Sequence, residues 1–218
     1  MIVRALFAVF ALALAACTSG PVAPDWQADA HSALGRFTSA YLSGNSRLAD
    51  SDFARARSEL ARTGRFDLVA RAELVRCAVR VASVEFNELS EFDECPGFAA
   101  LARDAGASER AYAAFLNGQP GDPALLPQYY RAVLDGGSAG LDSIEAPLPR
   151  LIAAGVLLRS GRLAPADIEL AVDTASAQGW RRPLLAWLGV LAQLADKTGD
   201  HELAARARRR SELVSGGR

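Results

Sequence analysis

The chain has little of the chemistry that most metal and redox centres require. Its 218 residues include three cysteines, two histidines and one methionine, and aromatic residues make up only 7%. That supply does not furnish a cysteine- and histidine-rich metal site. An excess of positive charge is also missing: 24 Lys+Arg face 25 Asp+Glu, for a net charge of −1. A nucleic-acid binder normally carries a basic footprint, so that class is excluded. Strand signals are absent as well. No stretch alternates apolar and polar residues with β-branched enrichment. Beyond the N-terminus no apolar run reaches the roughly 20 residues that span a bilayer. The composition is not that of a disordered chain, because half the residues are hydrophobic and 22% are charged. The length suffices for one buried core or two small ones.

The N-terminus sets the address. Arg4 precedes an unbroken apolar run from Ala5 to Leu14, then Ala15, Ala16 and Cys17. A run this short reads as the apolar core of a signal peptide. Leu14-Ala15-Ala16-Cys17 resembles the lipobox of bacterial lipoproteins. The resemblance implies that residues 1–16 are a cleaved signal peptide and that Cys17 carries the lipid. Residues 17–25, with Gly20, Pro21 and Pro24, then form a short tether. Thr18, where an Asp favours inner-membrane retention, implies sorting to the outer membrane, with the rest of the chain on its periplasmic face. Cysteine parity agrees. With Cys17 lipidated, Cys77 and Cys95 remain, in an oxidising compartment. A disulfide between them would staple a polar loop onto a helix. The alternative is two buried thiols.

The remaining sequence reads as a string of short helices. Alanine, leucine and arginine favour helix, and apolar residues recur at spacings of three and four. Phe53, Ala56, Leu60 and Ala61 form one stripe, Leu68, Ala72, Val75, Val79 and Ala82 a second, and Trp187, Leu191, Leu194 and Ala195 a third. Boundary signals predict helices over about 26–42, 47–62, 67–86, 98–103 and 129–135, and before the last of these one that Ser108 caps and Gly118 stops. Pro147, Pro165 and Pro183 mark further first turns, and Asp200 caps the last helix. Asp25 is the expected cap of the first. Gly44, Gly64, Gly118, Gly161, Gly179 and Gly199 supply the stops. The expected fold is all-α, built of antiparallel helical hairpins.

Ala40, Tyr41, Gly44, Ala49, Phe53 and Ala56 fall nearly as in a tetratricopeptide repeat. Gly161, Leu163, Ala166 and Leu170 repeat the second half of that pattern, and Leu188, Leu191, Ala192, Ala195, Gly199 and Ala204 repeat it again. The chain thus resembles tetratricopeptide-like α-solenoids, with a helical bundle as the alternative. Residues 135–149 are the most loop-rich stretch. They divide an N-terminal helical half (26–134) from a C-terminal one (150–215). One continuous solenoid with a long connector fits equally well.

Catalytic patterns are weak. Gly136-Gly137-Ser138-Ala139-Gly140 matches G-x-S-x-G, and Asp173 and His201 complete the hydrolase order. A nucleophile elbow needs a preceding strand, and here a helix precedes it. His31 and His201 each stand alone on a helix, with no second imidazole at ligand spacing. Glu85, Glu88, Glu91, Asp93 and Glu94 form an acidic rim before Cys95, and Arg206, Arg208, Arg209 and Arg210 a basic run near the C-terminus. Trp187 fits a core stripe, and one of Tyr129 and Tyr130 should be buried. Trp26 opens the first helix, and Trp180 is a packing plug or a binding anchor.

These observations point to no catalytic residue, metal or cofactor. They point to a lipid-anchored scaffold that holds a protein partner, an adaptor or assembly factor of a cell-envelope machine. Two alternatives stand beside it: a peptidoglycan-acting enzyme using paired acids, and a structural lipoprotein without a specific partner. A concave groove without buried acids favours binding. A deep cleft around paired acids favours the enzyme.

Overall fold

The computed structural model describes residues 24–85 and 95–216. Cys17, the expected signal peptide and most of the expected tether lie outside the described residues, as do Glu88, Glu91, Asp93 and Glu94. The described chain is all-α, with no strand. Its helices are α1 (Asp25–Leu42), α2 (Ser46–Ala61), α3 (Phe66–Ala82), α4 (Pro96–Ala99), α5 (Ala107–Leu116), α6 (Gln128–Gly136), α7 (Pro147–Arg159), α8 (Pro165–Ala177), α9 (Arg181–Thr198) and α10 (His201–Gly216).

The punctuation that the sequence supplies is used. Gly44, Gly64, Gly118, Gly161, Gly179 and Gly199 all have positive φ, which lets the chain leave each helix without a Cβ clash. Asp200 accepts a hydrogen bond from the Leu203 N–H at 2.9 Å, and Asn45 caps α2 in the same way through Leu48. Some boundaries differ from expectation. Asp25 lies inside α1, and Pro24 occupies the cap position with an extended backbone. Gly106, not Ser108, precedes α5. Helix α3 ends at Ala82, and Val84 beyond it has φ +55°, unusual for a β-branched residue.

Helices α1 and α2 form an antiparallel hairpin, and α3 packs back on both. Ala40, Ala49, Phe53 and Ala56 are buried, and Phe37 and Phe53 pack with ring centroids 5.1 Å apart. The opposite face of α3 packs on α5 and α7. Helix α7 packs on α8, α8 on α9, and α9 on α10 and back on α1. Helix α3 therefore walls two cores. Val69, Ala72 and Val79 face the smaller one with α1 and α2. Ala70, Leu74, Ala78 and Val81 face the larger one, which runs from α3 to α10. A helix apolar on both faces belongs in the interior. Residues 135–149 contribute Leu141 and Ile144 to the larger core, so the connector is itself packed between elements.

Four contacts lock this arrangement. At the α3–α7 crossing, a Cβ on Gly155 would lie 2.3 Å from the Val81 carbonyl oxygen. The fully buried Trp187 of α9 donates its indole N–H to the Ala82 carbonyl at 3.0 Å. Arg182 of α9 donates to the Tyr41 carbonyl at 2.8 Å, to Glu85 at 2.9 Å and to the Ser46 hydroxyl at 2.6 Å. Cys77 and Cys95 stand at disulfide distance, with Cα atoms 5.3 Å apart. Trp180 is half-buried against both hydrophobic clusters, so it packs as a plug.

Three stability outcomes follow. Gly155→Ala should lower the urea midpoint, at a cost of about 1–3 kcal/mol from forced overpacking. Gly35→Ala on α1, where no atom lies within 4 Å of the added methyl, should raise it by about 0.5–1 kcal/mol. Reduction of the Cys77–Cys95 pair should remove about 3 kcal/mol of loop-closure stabilisation, seen as a lower midpoint with unchanged far-ultraviolet dichroism in the native baseline.

Candidate functional site: an apolar groove across helix α3

Residues of α3, among them Arg71, Leu74 and Val75, line two adjoining hollows. The first, about 430 Å³, lies among α3, α5, α6 and α7. Its walls include Leu74, Tyr112, Leu125, Tyr129, Leu148 and Ile152. The second, about 420 Å³, lies among α1, α2 and α3. Its walls include Trp26, Leu34, Leu60 and Leu68, with His31 and Arg65 alongside. Arg71 and Val75, one turn apart on α3, line both. The hollows therefore form one groove divided at the middle of α3. An apolar depression with a few polar groups at fixed places is the general form of a binding site.

An aromatic ladder shapes the first hollow. Tyr112 stacks on Tyr130 with centroids 6.0 Å apart, Phe115 tilts against Tyr130 at 4.4 Å, and Tyr129 meets the Tyr130 edge at 4.5 Å. Tyr130 is 2% exposed and Tyr129 39%, so only one of the adjacent pair is buried, as helix geometry requires. Leu125 beside it is 38% exposed. These two side chains give the groove an open apolar rim. Burial pushes the Tyr112 hydroxyl up to about 12. Burial, with Tyr112 as neighbour, raises Tyr130 well above its ordinary value.

Three buried carboxylates, of which Glu109 lines the groove, are each held by arginine. Arg36 of α1 bonds Asp52 of α2 at 2.9 Å. Arg57 of α2 bonds Glu73 of α3 at 3.1 Å, and Arg76 reaches the other Glu73 oxygen at 2.5 Å. Arg71 of α3 bonds Glu109 of α5 at 2.6 Å through Nε. Glycines make the room. A Cβ on Gly97 would lie 2.1 Å from a Glu73 oxygen, and one on Gly106 would lie 2.3 Å from a Glu109 oxygen. General acid–base hydrolysis of a glycan needs two available carboxyls flanking one cleft. Asp52, Glu73 and Glu109 are instead committed one by one to guanidinium groups on neighbouring helices.

The other sequence candidates fall elsewhere. Ser138 accepts from the Ala164 N–H at 2.8 Å and donates to the Arg162 carbonyl at 3.3 Å. Its hydroxyl fastens the 3₁₀ turn Gly137–Gly140 to the α7–α8 loop, and among the described residues it bonds neither Asp173 nor His201. Gly136 and Gly137 shape a turn, not a nucleophile elbow. Arg208 pairs with Asp196 across α9 and α10. Arg206 and Arg210 line a small cleft with Glu169 and Asp173. No cluster of three or more His, Cys, Asp or Glu suited to a metal occurs among the described residues. No described helix is long and apolar enough to cross a membrane.

The tyrosines give a test by pH. Burial, followed by the Glu85 hydrogen bond, also raises the Tyr41 hydroxyl. A group whose pKa is raised on folding holds its proton more tightly in the native state. Its stabilisation is complete below about pH 10 and is lost as pH climbs toward the folded value. Alkaline titration followed at 295 nm should show Tyr41, Tyr112 and Tyr130 ionising together with loss of helical dichroism, above the ordinary tyrosine range. Glu109→Gln should cost less stability than Arg71→Ala, because only the second leaves a buried charge without a partner.

No family model, curated protein or solved structure matches the chain, so the groove and its lining carry the functional reading.

Proposed function

We propose that the protein is a lipid-anchored binding scaffold on the periplasmic face of the bacterial outer membrane. In this reading it acts as an adaptor or assembly factor for a cell-envelope machine, and its groove across α3 holds a segment of the partner. The observation that carries the reading is the groove itself: two hollows of about 430 and 420 Å³ that share Arg71 and Val75. Its apolar walls and aromatic rim supply the contact area that peptide recognition needs. The lipobox residues Leu14, Ala15, Ala16 and Cys17 support the anchor. Acyl chains on one cysteine would fix the scaffold at the bilayer, since each buried methylene contributes about 0.8 kcal/mol. The tetratricopeptide-like spacing supports a scaffold of helical hairpins. The lipid would then confine the search for a partner to the membrane plane, and the groove would supply selectivity.

The test has two arms. Cys17→Ser should move the protein from the membrane fraction to the soluble fraction and abolish incorporation of labelled palmitate. Crosslinking and pull-down from native membranes should recover one recurrent, stoichiometric envelope protein. The rim variant Leu125→Gln with Tyr129→Gln, changed at exposed positions, should lose that protein while keeping its melting profile. Recovery of the same partner by the rim variant would sink the groove assignment. Recovery of glycan fragments alone would favour a cell-wall enzyme.

A further inference from the structure

We infer that the groove takes an extended peptide segment in which an acidic side chain, seated on Arg71, stands between two apolar side chains, one in each hollow. This rests on the binding reading above and names the chemistry of the partner.

The position of Arg71 is the reason. Its side chain lines both hollows and is 62% exposed, although its partner Glu109, which lines the first hollow, is 9% exposed. Glu109 engages Nε. A guanidinium has five N–H donors, so four are left unused by Glu109. This chain shows one arginine serving several acceptors: Arg182 bonds a carbonyl, a carboxylate and a hydroxyl together. A second carboxylate on Arg71 is therefore within its capacity, and it would be the charge-assisted contact of the interface.

The other arginine of the groove, Arg65, lines the second hollow alone. Arg65 grips Asp67 through two bonds, at 3.2 and 2.7 Å, and that partner holds the Asp67 carboxyl below its ordinary range. Arg71 is thus the groove's point of charge complementarity. Its central location decides between classes of anionic ligand. An anionic amphiphile carries its charge at one end and places apolar surface on one side only. Here apolar surface lies on both sides of the cation: Leu125 and Tyr129 in one hollow, Trp26 and Leu68 in the other. An extended peptide matches this, because alternate side chains share a face and repeat about every 7 Å.

The experiment selects a displayed library of random dodecapeptides on the full chain in detergent micelles. Enriched sequences should carry Asp or Glu with aliphatic or aromatic residues on both sides. Each is then resynthesised with the acid replaced by Asn or Gln. On the wild type this replacement should weaken binding about tenfold, the scale of one charge-assisted bond. On Arg71→Met with Glu109→Gln, which removes both charges and orphans neither, it should have no effect. Glu109→Gln alone frees the guanidinium and should tighten the acidic peptide. Enrichment of apolar peptides that lack an acid and still depend on Leu125 and Tyr129 would overturn the charge assignment and leave the groove reading intact. Peptides that bind the Leu125→Gln, Tyr129→Gln variant as well as the wild type would overturn both.

Discussion

The close crossing of α3 and α7 is the constraint on which the rest of the molecule depends. Helix α7 can approach α3 only because Gly155 has no side chain; a methyl there would press into the Val81 carbonyl at 2.3 Å. That approach seals the larger core against α3, while the other face of α3 seals the smaller one. With α3 fixed on both sides, its remaining surface has nowhere to go but outward. The two hollows are the places where the flanking helices fail to cover that surface. The groove is thus a by-product of how tightly α3 is held, and its floor is among the most constrained parts of the fold.

Electrostatics is organised by the same scaffold. Asp52, Glu73 and Glu109 are each buried, and their partners Arg36, Arg57 and Arg71 come from the preceding packed helix. The carboxylate loses water, while the guanidinium keeps part of its hydration and covers the acid. Breaking such a pair from the arginine side exposes the protein to the full cost of a lone buried charge, whereas removing both partners costs much less. The contribution of these pairs lies as much in fixing which helix sits beside which as in net stability. Gly97 and Gly106 belong to this system, because their missing Cβ atoms leave space for the carboxylates.

Much of the fold was legible because its signals are local. Glycines in left-handed turns, prolines in first turns and the Asp200 cap act within four residues, and the stripes on α2, α3 and α9 follow helical period. The split of Tyr129 and Tyr130 between surface and interior followed from the same period. Asp52 was within reach: it lies three residues after Ala49 and beside Phe53, on the buried stripe of α2, which marks an acid that needs a partner. Gly155, Arg71 and Arg182 were not legible. Their roles depend on partners 38 to 141 residues away in sequence, from Arg71 on Glu109 to Arg182 on Tyr41, and nothing near them in the chain announces the partner. Glu109 was hidden for a similar reason, since an acid in a first helical turn ordinarily serves the helix dipole in water. The groove was hidden too, because its walls come from helices far apart in sequence that only tertiary packing brings together.

The placement of the three tryptophans divides the molecule optically. Trp187 is sealed, with its indole bound to the Ala82 carbonyl, so its emission reports whether the α3–α9 contact is intact. Trp180 touches both hydrophobic clusters and registers their relative position. Trp26, the second residue of α1, is the one tryptophan that lines the groove. An occupant changes the surroundings of one indole out of three, and unfolding changes all of them. The chain therefore carries an internal means of separating occupancy from loss of structure, without an added label.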